Sequence, residues 1–248
     1  MADIELTWLG HGTILIGAAD GRQLLVDPWV AGNPSCPDSW KNRVAPDVLL
    51  VTHGHGDHIG DAVSMARAHR PDVIGIFEMC HWLDSKGVEK TRPMNKGGSQ
   101  ALGDITITMV HADHSCGILD EGRMVYGGEA AGYVLRFPGG FTIYVAGDTN
   151  VFGDMRLIAD LYHPDLAVLP IGDLFTMGPR EAALAARLLR VSRVIPTHWG
   201  TFPALTGVPA ALRAEADRSA GDPVDPGETG GAFEVVALTP GQTTSLGR

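Results

Sequence analysis

The stretch Thr52-His53-Gly54-His55-Gly56-Asp57-His58 follows directly on the apolar run Val48-Leu49-Leu50-Val51. A short, uniformly apolar run reads as a buried strand, and the helical spacing of residues 62–68 before Pro71 reads as the helix after it. The four polar side chains therefore lie on a strand-to-helix loop. With 10 His and 20 Asp among 248 residues, composition alone would produce this His-x-His-x-Asp-His spacing in roughly one chain in a thousand. Imidazole nitrogens bind zinc-like ions at about 2.0–2.1 Å, and one tight loop can send residues 53 and 55 to one ion and 57 and 58 to its neighbour. Gly54 and Gly56 leave room for that. A metal site is the expectation, against the plainer alternative of histidines that cap or fill a core.

Further ligands are available where other strands end. Tyr144-Val145-Ala146 finishes at Gly147-Asp148-Thr149, and an Asp can bridge two cations with its two oxygens. Residues 193–195 lead to Pro196-Thr197-His198, and residues 105–110 lead to His111-Ala112-Asp113-His114. Ligands gather at strand ends in open α/β sheets, so His53, His114, Asp148 and His198 can converge without being neighbours in sequence. Around these points the pattern predicts a meander of strands at 4–8, 13–16 and 23–26, then a strand at 73–76 and a helix at 78–85. A turn-rich segment at 91–99 follows, with strands at 133–137 and 142–146. A βαβ unit covers 166–169, 180–189 and 193–195. A helix opens at Pro209 and closes near Gly221. Residues 222–231 read as loop, followed by a last strand near 233–236 and a polar tail. No repeat or biased linker marks a boundary, so one domain over residues 1–248 is expected.

Composition narrows the function. Apolar residues make up 44% of the chain and charged residues 19%, values of a globular protein rather than a disordered one. A net charge of −10 repels phosphate backbones and argues against nucleic-acid partners. Cys36, Cys80 and Cys116 are too few and too scattered for a disulfide framework, which points to a reducing, cytoplasmic location. Met1-Ala2-Asp3-Ile4-Glu5 carries acids where an export signal needs a basic region and a long apolar run. The longest uncharged stretch, 194–212, is broken by Pro196, Pro203 and Pro209, so no membrane span is expected. The expected partner is a small molecule, with a homo-oligomer left open.

The six-residue signature, a later His after a strand, Gly147-Asp148-Thr149 and a final His198 together resemble the metallo-β-lactamase-fold superfamily of metal-dependent hydrolases. More narrowly, Leu9-Gly10-His11-Gly12, Asp27-Pro28, Gly32-Asn33-Pro34 and Pro170-Ile171-Gly172-Asp173 are similar to the hydrolase group related to ascorbate-6-phosphate lactonases. Phe175-Thr176-Met177-Gly178-Pro179 and Thr197-His198-Trp199-Gly200-Thr201-Phe202-Pro203 extend that similarity. The resemblance implies a four-layer αββα sandwich with two divalent ions, zinc first and manganese second, at one edge. It implies His53, His55 and His114 on the first ion, Asp57, His58 and His198 on the second, and Asp148 between them. It further implies a hydroxide bridging the two ions, which attacks a small ester, lactone or phosphorylated metabolite with Asp57 and Asp148 in the catalytic set. There is no Gly-x-Ser-x-Gly elbow and no P-loop to support a serine hydrolase or kinase. A redox di-iron enzyme would resemble His-x-Glu-x-Asp, and position 55 is His. A nuclease or phosphodiesterase of this superfamily would resemble longer chains with an added RNA-binding arm. A non-enzymatic metal-binding or sensory protein stays open, because ligands alone do not prove turnover.

Other residues carry narrower expectations. His11, in a glycine-flanked turn, is a candidate substrate ligand or proton donor, or else a surface-turn histidine. Asn33 is a candidate hydrogen-bond donor to substrate, or a residue chosen for its backbone. Asp173 and Thr176 precede Pro179 where a helix cap belongs, and Cys116 reads as a buried thiol rather than a soft-metal ligand. Between His111 and His114, alternation puts His111 on the apolar row of Ile105, Ile107 and Met109, whereas His114 lies further out on a loop that can turn back. The resembling family also has its ligand in a His-Ser context, which only His114 shows. The metal is therefore assigned His114, with His111 as support.

Overall fold

Two seven-stranded sheets organise the chain in this computed structural model, which describes residues 4–221 and 231–247. The first half runs β1 (Ile4–Trp8), β2 (Ile14–Gly17), β3 (Gln23–Val26), α1 (Asp38–Lys41), β4 (Val48–Leu50), α2 (Gly56–Ile59), α3 (Ala62–His69), β5 (Asp72–Ile76), α4 (Phe77–Ser85) and β6 (Thr91–Met94). It continues through β7 (Ser99–Leu102), β8 (Ile105–His111), β9 (Gly117–Asp120), β10 (Arg123–Tyr126), β11 (Ala131–Arg136) and β12 (Thr142–Val145). The last part holds α5 (Met155–Tyr162), β13 (Leu166–Pro170), α6 (Pro179–Leu188), β14 (Arg193–Thr197), α7 (Pro209–Ser219), β15 (Glu234–Val235) and β16 (Thr243–Leu246). One sheet has the order β16-β1-β2-β3-β4-β5-β6 and the other β15-β14-β13-β12-β11-β8-β7, with β9 and β10 as a separate hairpin.

Strand alternation produces the layers. Side chains two apart share a face, so Val145, Val168 and Ile195 of the second sheet meet Leu6, Leu24, Leu49 and Ile74 of the first in one apolar cluster. Their chain neighbours Tyr144, Ala167, Leu169 and Val194 point the other way, into a second cluster with Met155, Ile158, Leu188 and Leu212 of α5, α6 and α7. Ala182, Ala183, Ala185 and Ala186 are all buried, and their small size brings α6 close to the sheet. Ala62, Ala66, Met79 and Leu83 place α3 and α4 on the first sheet. The result is the expected αββα layering. Tyr133 ties the two sheets together, its hydroxyl donating to the Val51 carbonyl at 2.7 Å where β4 runs out.

Several expectations are corrected. The segment at 91–99 is not only turn: β6 pairs in parallel with β5, Ile76 opposite Met94, and Pro93 is tolerated because the strand is at the sheet edge. The polar tail contains β16, antiparallel to β1, with Ile4 opposite Leu246 and the hydroxyls of Thr7 and Thr243 2.8 Å apart. An edge strand needs little apolar patterning, which hid it. The β9–β10 hairpin and α5 were also missed. The loop expected at 222–231 lies outside the described residues except for Gly231, as do Met1, Ala2 and Asp3. No helix among the described residues is long and apolar enough to cross a membrane. The three cysteines are free and buried, and burial pushes Cys36 and Cys116 up to about 11 and Cys80 up to about 12.

Candidate metal centre

β4 runs parallel between β3 and β5, so the chain leaves it beside the ends of both neighbours. There Asp27 follows β3 in a left-handed conformation, φ 51°, which turns its buried carboxylate onto the departing loop. It accepts the Thr52 backbone N–H at 2.8 Å, the Thr52 hydroxyl at 2.8 Å and His58 Nδ1 at 2.7 Å. The Thr52 hydroxyl gives its only proton to Asp27, so its oxygen accepts from His53 Nδ1 at 3.0 Å. These assignments follow from the bonding network, and they leave His53 Nε2 facing the site. Gly54 permits the loop to pass here, since a Cβ would lie 2.6 Å from Ile118 Cγ1. Gly56 has open space, so the loop's room comes from one glycine rather than two.

Two groups of side chains converge. In the first, His53 Nε2 is 3.0 Å and His114 Nε2 3.3 Å from His55 Nδ1, while His55 Nε2 is 3.3 Å from the Ser115 hydroxyl. In the second stand His11, Asp57, His58 and His198. Asp148 lies between the groups: its Oδ2 is 3.3 Å from His58 Nε2, 3.0 Å from His198 Nε2, and 3.9 Å from both His53 Nε2 and His114 Nε2. Gly147 makes that placement possible, with φ 64° and no space for a Cβ, which would meet Thr52 Cβ at 2.7 Å. His198 follows β14, also left-handed at φ 55°, held by its N–H to the His11 carbonyl at 3.0 Å.

The donors present fit metal ions. The edge of a tetrahedron of nitrogens around zinc is about 3.3–3.4 Å, close to the observed spacing of the three histidines. His58 Nε2 and both nitrogens of His198 are buried and make no hydrogen bond, even though Asp148 is near, so one nitrogen of each ring, once free of its proton, is open to a cation. Electrostatics agree. Burial holds His53 well below the ordinary histidine value and lowers His55 and His114, keeping all three neutral. Burial opposes ionisation of Asp148, yet the charges of His58 and His198 overcome it and hold the carboxyl well below its usual range. His58 is likewise penalised by burial, but Asp148 and Asp27 raise it well above its ordinary value. A metal ion there must displace a proton from His58.

The expected residues separate clearly. His53, His55, His58, His114, Asp57, Asp148 and His198 come together. His111 does not: it is exposed, its ring edge-on to Phe152 at 4.9 Å and its Nδ1 3.3 Å from Lys96 Nζ. It lends the cluster no support. Titrating zinc against a chromophoric chelator should show His114→Ala weakening binding by about 100-fold or more and His111→Ala changing it by less than about twofold. The reverse order would overturn the assignment. Asn33 is also corrected. It is fully buried, its amide donating to the Gly10 carbonyl at 3.1 Å and its oxygen accepting from Ser35 N–H at 2.9 Å, so its carboxamide is turned into the chain rather than towards substrate. His11 sits at the site but is fully buried, with Nε2 2.9 Å from Asp57 Oδ2 and Nδ1 3.0 Å from the Thr201 hydroxyl. Both nitrogens are engaged, and burial lowers it to about 4, so it holds Asp57 rather than donating to substrate. Burial would raise Asp57, but the His11 hydrogen bond and the His58 charge hold it far below its usual range. Neither Asp173 nor Thr176 caps α6; Gly178 stands at that position without a side-chain bond. Cys116 is buried with its thiol on the Gly127 carbonyl, apart from the candidate ligand groups.

Asp27, Thr52 and Thr201 were missed. Asp27 carried the same signal as Asp148, an acid closing an apolar strand, but its meaning depends on β3 lying beside β4.

The family model for the beta-lactamase superfamily domain matches residues 22–199, a span that takes in every side chain of both groups except His11. Fold and site together define that class. A UPF0173 metal-dependent hydrolase of Solibacter usitatus is 61% identical over 211 residues, covering 85% of this chain and 91% of that one. Another, of Roseiflexus sp., is 46% identical over 248 residues and covers 98% of each. The structure of Igni18, a novel metallo hydrolase from the hyperthermophilic archaeon Ignicoccus hospitalis, matches with a TM-score of 0.85 at 29% identity over 99% of both chains. This chain belongs to the UPF0173 metal-dependent hydrolase family.

Proposed function

We propose that the protein hydrolyses a small ester, lactone or phosphorylated metabolite with two divalent cations, zinc or manganese. His53, His55 and His114 would hold one, Asp57, His58 and His198 the other, with Asp148 between them. The observation that carries this reading is the position of Asp148 Oδ2 within 3.9 Å of four histidine nitrogens drawn from both groups. Cations held there would supply Lewis acidity, acidifying a water and polarising the scissile carbonyl or phosphoryl group. The chain's own part is orientation. Asp27 turns His58, Thr52 turns His53, and Thr201 through His11 holds Asp57. Such partners fix the tautomer and direction of each donor. Three free, buried thiols support a reducing compartment.

Elemental analysis after saturation with zinc or manganese and gel filtration should find two ions per chain; a reproducible value of one removes Asp148 from between them. Metal-loaded protein should then cleave a member of a panel of lactones, thioesters, phosphodiesters and β-lactams. Binding of two ions with cleavage of none favours the binding or sensory protein.

A further inference from the structure

The non-polar side chains beside the centre narrow the substrate. The His11 ring meets Trp29 edge-on at 5.2 Å and Phe202 edge-on at 5.6 Å, and those two rings lie 6.2 Å apart with 31° between their planes. Together they make an aromatic wall on the Asp57 side of the site. It is anchored: the Trp29 carbonyl accepts from the Thr13 hydroxyl, and the next two backbone N–H groups, of Val30 and Ala31, donate to Asp61. Phe202 nevertheless remains 40% exposed.

A second loop is tied to the segment carrying Phe202. This loop follows β13, and its bonds to that segment are Gly207 N–H to the Gly172 carbonyl at 3.2 Å and the Thr206 hydroxyl to Asp173 at 3.4 Å. It also bonds to the turn carrying Asp148, through Met177 N–H to the Thr149 carbonyl at 3.2 Å. At its tip Asp173 and Leu174 are both left-handed, φ 67° and 57°, a conformation unfavourable for side chains with a Cβ. Such strain is retained where the surroundings impose it, commonly at functional loops. Here it leaves Leu174 63% and Phe175 61% exposed rather than folded inward.

Charge points the same way. Among the described residues Asp27, Asp57 and Asp148 form ion pairs with histidines and none with Lys or Arg. Sites that grip phosphate groups ordinarily add an Arg or Lys clamp to their metals. The net charge of −10 also repels anionic substrates.

We infer that the substrate carries an uncharged aromatic or similarly broad apolar group, seated against Trp29 and Phe202 beside the loop that carries Leu174 and Phe175. This rests on the hydrolase reading for the reaction and on the aromatic wall for the group. The test compares matched ligands on zinc-loaded full-length protein: acetate against phenylacetate in calorimetric titration, and their 4-nitrophenyl esters with 4-nitrophenyl phosphate in kinetics. Phenylacetate should bind about tenfold more tightly than acetate, and Phe202→Ala should cut that ratio to about twofold or less. Phe175→Ala, at an exposed tip whose loss does not threaten folding, should lower the ratio less. Selective binding without ester cleavage supports the aromatic subsite and sinks the hydrolase reading. Equal or absent binding of the two acids, a ratio that survives Phe202→Ala, or preferred cleavage of the phosphate overturns the inference. So does a Phe202→Ala variant whose only change is in oligomeric state by light scattering, since the wall would then be a contact between copies.

Discussion

Asp148→Ala is expected to lower the metal content, on the two-ion reading proposed above from two ions per chain to one, and to reduce kcat/KM on the order of 10³-fold. Among the described residues the other two acids of the cluster are engaged elsewhere: Asp57 is turned to His11, and Asp27, although within 4.8 Å of His53 and His58, is occupied by Thr52 and His58 Nδ1. Removing Asp148 also takes away one of the two charges that keep His58 protonated in the metal-free protein, while Asp27 still satisfies its Nδ1. The fold should therefore persist, and circular dichroism would check that. Retention of two ions with activity within about tenfold of the parent would reject the role given to Asp148.

Asp27→Ala is expected to act on stability first. The carboxylate is buried and accepts three hydrogen bonds from groups that have no water to turn to. An unpaired buried donor costs about 1–3 kcal/mol, and breaking a buried charge pair about 3–5 kcal/mol. A loss near 4 kcal/mol is a large share of the total of about 5–15 kcal/mol that holds a domain together. For a chain of this length it corresponds to a fall in Tm of roughly 10 °C. Zinc affinity should drop as well, by about 10- to 100-fold, because His58 loses the partner that aims its Nε2. Asp27→Asn keeps an acceptor for Thr52 and should lose less stability than affinity. If Asp27→Ala unfolds at the parent temperature, the buried network is not what holds the loop to β3.

The loop at residues 53–58 was legible because its signal is local: four candidate ligands within six residues, directly after a short apolar strand. Asp148 and His198 were legible for a related reason, each closing a strand where α/β sheets collect ligands. His114 could be separated from His111 because strand alternation keeps an odd-numbered residue on its row, although the structure turns His111 outward to Lys96 and Phe152 once β8 leaves the core. Asn33 was misread, since a turn residue looks equally free in sequence whether its amide faces a pocket or the chain's own carbonyls. β16 was overlooked because an edge strand built of Thr, Thr, Ser and Leu owes its pairing to β1 rather than to its own pattern.

Period-two apolar runs, turn residues and the spacing of histidines lie within a few residues of one another, so the amino-acid sequence alone determined many of the strands and helices and the ligand loop, while their four-layer arrangement was implied by the family resemblance. The placement of Asp27 under that loop, the capture of His11 by Asp57 and Thr201, and the meeting of Trp29 with Phe202 were decided only by tertiary structure. Each joins residues separated by about 25 to 190 positions, and what brings them together is the parallel pairing of β3 with β4 and the packing of one sheet on the other. Contacts of that kind are set by which strands lie side by side, a choice made by burial of the whole core and written in no single stretch of the chain.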